Sequence, residues 1–194
     1  MTVVVLTLPH PVPDEARHIC DMLATGEADL VHIRKPGYTA AEAEEMVQRV
    51  LDEAAGRGMD IAPRLAMHDH FEVARRLHLG GIHLNGRNPL PPSGWQGRVS
   101  RSCHTLYEAV EWKPMCDYVS LSPVFDSISK PGYRAAFDAA TLEEARRRGI
   151  IDGRVLALGG VTRGRLRLVA EMGFGGAMLL GDAWKERTGD KRDI

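Results

Sequence analysis

Cysteine is scarce, and that scarcity narrows the chemistry. The three present, Cys20, Cys103 and Cys116, are odd in number and form no C-x-x-C pair. Neither a disulfide framework nor a cysteine-built zinc site is expected, and free thiols point to a reducing, cytoplasmic setting. Long apolar runs are missing too. The stretch Val3-Val4-Val5-Leu6-Thr7-Leu8 has no basic segment ahead of it and is too short for a signal peptide or a membrane span. An excess of either charge is also absent: 25 Lys and Arg stand against 26 Asp and Glu, which speaks against a nucleic-acid surface. No linker, repeat or biased tract divides the chain, so residues 1–194 are expected to form one domain, long enough to bury a core.

What is present alternates. Short β-branched or apolar runs at 3–8, 30–34, 65–68, 81–84, 99–103, 117–122, 155–158 and 176–180 read as strands. Amphipathic stretches or long loops separate them. Asp14 is expected to cap a helix through Ala24. Thr39, with Glu42 three residues on, carries the capping-box signature. Further helices are expected over Phe71–Leu79, from Thr105 and over Leu142–Arg148, whereas 85–97 is rich in Gly and Pro and reads as loop. Eight strands with crossovers imply a parallel sheet, closed as a single-domain (β/α)8 barrel. The chain is short for that fold, so the fourth and eighth helices are expected to be small or missing.

In such a barrel, chemistry sits at the C-terminal ends of the strands. Here those ends carry His32 with Arg34, His68-Asp69-His70, His83 with Asn85 and Asn88, and Ser102 with His104. Residues two apart on a strand share a face, so each such pair is expected to point together. The seventh and eighth strands end in Gly159-Gly160, followed by Thr162, and in Leu180-Gly181-Asp182. Glycine turns at helix starts let backbone N–H groups approach a phosphate. Ser127, Ser129 and Lys130 add two hydroxyls and an ammonium suited to the same anion.

These motifs, in this order, resemble the thiamine-phosphate synthase/TenI family. The likeness rests on Val31-His32-Ile33-Arg34-Lys35, His68-Asp69, Gly81-Ile82-His83-Leu84, Ser102-Cys103-His104-Thr105, Asp117-Tyr118-Val119, Ser122-Pro123-Val124-Phe125, Ser129-Lys130, Ala157-Leu158-Gly159-Gly160-Val161-Thr162 and Gly173-Phe174-Gly175-Gly176. It implies a phosphorylated thiazole bound by Ser127, Ser129, Lys130, Gly159, Gly160, Leu180 and Gly181. One branch joins that thiazole to a pyrimidine diphosphate with Mg2+ and releases pyrophosphate. The other is a metal-free thiazole tautomerase, in which a histidine matching His104 shifts a proton. Here His32 replaces a glutamine, His68 an asparagine and Pro36 a lysine, while Asn88 replaces the second magnesium aspartate beside Asp69. The likeness therefore implies the tautomerase first, with His104, Arg34 and Ser102 catalytic and with His32, Lys35 and His68 against substrate. The synthase is the alternative, with Asp69 and Asn88 as its metal ligands. Homo-oligomers are common in the family and are implied here by that likeness alone.

Two rival readings remain at this point. A metallohydrolase would gather His68, His70, His83 and His104, although these form no known ligand motif. A regulatory binder would keep the thiazole site and lose the reaction. Trp95 and Trp112 read as packing residues, Cys103 as a buried apolar residue, and the loop with Tyr133 and Arg134 as a lid.

Overall fold

Strand alternation sorts the side chains of this protein into two separate cores. The computed structural model describes residues 1–126 and 134–188, leaving aside the side chains of 186 and 188. Eight parallel strands close in sequence order, β1 (Thr2–Leu6), β2 (Leu30–Ile33), β3 (Leu65–His68), β4 (Gly81–Leu84), β5 (Arg98–Cys103), β6 (Tyr118–Leu121), β7 (Val155–Ala157) and β8 (Gly176–Leu179). The expected single (β/α)8 barrel is the fold found.

Outward-facing strand residues such as Val5, Val31, Ile33, Met67, Ile82, Val119 and Leu179 pack against the surrounding helices in one large cluster. Those helices are α1 (Glu15–Thr25), α2 (Ala40–Gly56), α3 (Phe71–Arg76), α4 (Leu106–Trp112), α5 (Ala139–Arg147), α6 (Leu166–Glu171) and α7 (Gly181–Thr188). Inward-facing residues make a second, smaller cluster of Val4, Leu6, Tyr118, Leu156 and Met178. That apolar half of the barrel comes from β6, β7, β8 and β1. The other half of the interior is polar: His32, His68, His83, Ser100 and Ser120 are all buried there.

Local signals account for most helix starts. Thr39 and Thr105 each form a full capping box, with Glu42 and Glu108 respectively, each worth roughly 1 kcal/mol. Asp14 differs from expectation. It sits at the N-cap of α1 in a left-handed conformation (φ 52°) and its side chain caps nothing. No helix joins β4 to β5 among the described residues, and α3 ends at Arg76, earlier than the periodicity suggests. The eighth helix is present but short, eight residues from Gly181. No described helix is long and apolar enough to cross a membrane.

The chain closes on itself through α7. Trp184 is fully buried against the barrel wall, and its indole Nε1–H donates to the Leu6 carbonyl at 2.8 Å. Truncating it removes both the packing and the tie between the last helix and the first strand. Trp184→Ala is expected to cost about 3–5 kcal/mol of unfolding free energy, and Trp184→Phe about 1 kcal/mol through the lost hydrogen bond. Urea denaturation of the two variants checks this; equal losses would show that the hydrogen bond, not the packing, holds α7.

Candidate active site at the barrel mouth

The C-terminal ends of the strands open into a cavity of about 620 Å3. One side is built by the turns after β7 and β8, where Gly159, Gly160, Leu180 and Gly181 line the wall with Thr162 and Asp182. Gly159 and Gly160 have φ of +89° and +62°, a region that disfavours a Cβ. A Cβ on Gly159 would also lie 2.7 Å from Pro123, so the loop after β6 packs directly on this turn. These glycines thus let the turn after β7 pack closely on the loop after β6. Gly181 opens α7, whose third residue, Ala183, donates its N–H to the Leu180 carbonyl at 3.2 Å.

The opposite side carries Arg34, His68, His83, Arg87, Arg101, Ser102 and His104. Of the face-sharing pairs, Ser102 and His104 both reach the cavity, and Arg34 reaches it without His32. The third pair does not hold. His70 leaves the strand to start α3, and its Nε2 meets the Tyr38 carbonyl at 2.9 Å. His104 is exposed, with Nδ1 at 3.3 Å from the Ser122 carbonyl and 3.2 Å from the Ser122 hydroxyl.

Beneath the mouth lies a network of buried imidazoles and hydroxyls. His32 Nδ1 meets His68 Nε2 at 3.0 Å, and His32 Nε2 meets the Tyr118 hydroxyl at 2.5 Å. His83 lies between two serines, with Nδ1 2.8 Å from Ser100 Oγ and Nε2 2.8 Å from Ser102 Oγ. Rings of His68 and His83 stack with centroids 4.2 Å apart. Burial, then the neighbouring imidazoles and guanidinium groups, pushes His32 and His68 well below their usual basicity. Burial, with Arg101 and Arg34, takes His83 down to about 3. All three are neutral at physiological pH.

Several expected contacts are corrected by this geometry. His32 is fully buried and is not among the cavity-lining residues, so it supports His68 from behind instead of touching a substrate. Lys35 turns the other way. Its ammonium donates to the Leu8 and His10 carbonyls and to both oxygens of Glu15, in a buried ion pair at 2.7 Å. It is too committed to serve a diphosphate. Asp69 and Asn88 lie beside the main cavity, in a neighbouring depression. Asp69 adopts φ 66°, a conformation that Asp tolerates and that aims its carboxylate at the β4–β5 loop. There Asn85 Nδ2 and Asn88 Nδ2 donate to it at 2.8 and 2.9 Å, and Arg87 pairs with it at 2.9 Å. Burial alone would raise the Asp69 pKa; the bonds from Asn85, Arg87 and Asn88 outweigh it and hold the group below the usual carboxylate range. Ser127, Ser129, Lys130 and Tyr133 lie outside the described residues.

Sequence reasoning gave no site role to Arg87, Ser100 or Arg101, nor to Tyr118, which it met only within the Asp117-Tyr118-Val119 motif. Arg101 sits inside the Arg101-Ser102-Cys103-His104 motif; its guanidinium stacks 3.7 Å above Trp112, donates to Pro89 and leaves Nε buried without a partner. Arg87 carried a signal, a cation flanked by Asn85 and Asn88 in a loop facing Asp69.

A buried imidazole that is harder to protonate when folded takes its proton first in the unfolded chain. Stability is therefore full above about pH 6.5 and is lost as the pH falls toward the folded-state values. Between pH 7.5 and pH 5.5, in chelator-containing buffer, unfolding free energy is expected to drop by about 1 kcal/mol for each of the three histidines. His83→Gln should shrink that drop by its own share; an unchanged drop would mean His83 is already charged in the folded protein.

Comparison with known proteins follows the same lines. A thiamine monophosphate synthase family model matches residues 3–181. The thiamine-phosphate synthase of Salinibacter ruber is 30% identical over 129 residues, covering 62% of this chain and 55% of that protein. That of Thermus thermophilus is 29% identical over 153 residues, 76% of this chain and 71% of that protein. In solved structures, thiamine phosphate pyrophosphorylase from Bacteroides thetaiotaomicron superposes with a TM-score of 0.81 at 34% identity, covering 98% of this chain and 89% of that one.

Proposed function

We infer that this chain, which belongs to the thiamine monophosphate synthase family, binds a phosphorylated thiazole across its barrel mouth and joins it to a pyrimidine diphosphate. The observation that carries this reading is its similarity to proteins named for that reaction, at 34% identity over nearly the whole barrel in one case. The replacements at His32, His68, Pro36 and Asn88 put the tautomerase first from the sequence, but the similarity to proteins named for the condensation supports the synthase better, so the synthase takes first place. In this reading the thiazole phosphate lies on the N–H groups around Gly159, Gly160, Leu180 and Gly181, at the start of α7. Ser127, Ser129 and Lys130 are proposed to complete that end. The thiazole nitrogen forms the new bond to the pyrimidine methylene carbon, and pyrophosphate leaves with the electron pair of the broken C–O bond.

Charge on the departing diphosphate must be met in the transition state. The family's Mg2+ would be held at Asp69 and residue 88. In this chain Asp69 is already paired with Arg87, and Asn88 offers it an NH2 group in place of a second carboxylate. A hard dication held by carboxylate and phosphate oxygens does not fit that donor set. Arg34 and Arg87, both bordering the cavity, supply fixed and mobile guanidinium charge instead. Arg87 is 69% exposed and meets Asp69 through one terminal nitrogen alone, so the rest of its guanidinium can face a diphosphate while the pair is kept.

One observation favours a second reading. His104 stands exposed at the mouth near Ser102, with its ring nitrogen against Ser122, where an imidazole could take and return a proton on the thiazole. Purified protein incubated with both substrates distinguishes the two. Thiamine phosphate should form, Arg34→Ala and Arg87→Ala should each lower kcat/KM by about tenfold or more, and His104→Ala should have a smaller effect. No condensation, together with aromatisation of a dihydrothiazole carboxylate that His104→Ala abolishes, would establish the tautomerase. Silence in both assays would leave the binding protein.

A further inference from the structure

We propose that His32, His68 and His83 form a binding site for a borderline divalent transition-metal ion, zinc being the type case, in the floor beneath the cavity. One ring nitrogen from each lies within 4.8 Å of the others. Zinc binds imidazole nitrogen at about 2.0–2.1 Å, so tetrahedral ligands sit about 3.4 Å apart. His32 Nδ1 and His68 Nε2, at 3.0 Å, are already near that separation. The third ligand, His83, now stacks on His68 with ring planes 21° apart and must rotate, releasing one of its two serine contacts, to turn a lone pair toward the ion.

Three further features suit a metal. The histidines come from adjacent strands, β2, β3 and β4, and His68 and His83 are direct register partners. Ligands mounted on paired strands hold their geometry better than ligands on loops. The far nitrogens are oriented by hydroxyls: Tyr118 for His32, and Ser100 or Ser102 for His83. Such outer contacts fix ring orientation and raise ligand basicity in metal sites. Finally, His68 and His83 border the cavity while His32 lies behind them, so the fourth position faces the open side. Three ligands and an open position describe a site that admits water or a ligand group, not a closed structural one.

The donor set also chooses the ion. Three neutral nitrogens, with no carboxylate among them, suit zinc, nickel or copper and not magnesium. This set differs from the one the sequence suggested, since His70 is turned to Tyr38 and His104 to Ser122. The proposal is independent of which reaction the mouth performs, and its test reads metal binding, not turnover.

The test starts from full-length protein stripped with chelator and dialysed against Zn2+, with bound metal measured by mass spectrometry. One ion per chain is expected. His68→Asn and His83→Gln should weaken binding by about a hundredfold, with far-UV circular dichroism confirming their fold. His70→Ala and His104→Ala should bind as the unchanged protein does. Tyr118→Phe, which leaves all three imidazoles in place, should weaken binding by about tenfold. Co2+ in the unchanged protein should give the visible d–d absorption of a tetrahedral nitrogen site without a thiolate charge-transfer band. That readout stands even where a histidine variant fails to fold. No bound ion in the unchanged protein, or equal binding in His68→Asn, would overturn the proposal and leave a neutral hydrogen-bonded network.

Discussion

The polar half of the barrel interior must satisfy its own hydrogen bonds, and much of the site follows from that requirement. A buried imidazole or hydroxyl without a partner costs on the order of 1–3 kcal/mol. The strands β2 to β5 place three histidines and two serines where a barrel of this kind normally packs branched aliphatics. They pair among themselves, with Tyr118 reaching across from β6. The price is uneven: Ser120 Oγ is buried without a partner. Because the network's imidazoles are neutral, it can support the cavity floor without importing charge.

Charge is kept for the rim. Arg34, Arg87 and Arg101 border the same side of the cavity, and the glycine turns after β7 and β8 border the other. The two sides are suited to a ligand with an anionic group at each end. The guanidinium groups also help keep the histidines below them neutral, through the field felt by His68 and His83. Lys35, which the strand pattern would send to the rim, is drawn away by Glu15 at the start of α1, where four acceptor atoms surround its ammonium.

The barrel was legible because strand alternation and helix caps are local. Val3–Leu8, Leu65–His68 and Gly81–Leu84 announce buried strands, and Thr39 with Glu42 announces a helix, without any knowledge of distant partners. The cavity side of Gly159, Gly160 and Gly181 was legible for the same reason, since turn chemistry is local. What could not be read were the partners across strands. That Lys35 meets Glu15, that His32 meets Tyr118, and that Arg87 neutralises Asp69 each depend on residues 18 or more positions away. Period-two reasoning paired His32 with Arg34, but only Arg34 reaches the cavity while His32 is fully buried. It failed outright at His70, because the chain had already turned into α3.

Guanidinium groups, not a carboxylate-held dication, are proposed to carry the diphosphate in this chain. The most direct measurement is the rate of thiamine phosphate formation from saturating thiazole phosphate and pyrimidine diphosphate as free Mg2+ is varied down to chelator excess. Turnover is expected to persist without Mg2+ and to fall as ionic strength rises. Turnover that vanishes in chelator and returns with Mg2+ but not with Zn2+ would contradict the proposal, and would mean that Asp69 exchanges Arg87 for the metal.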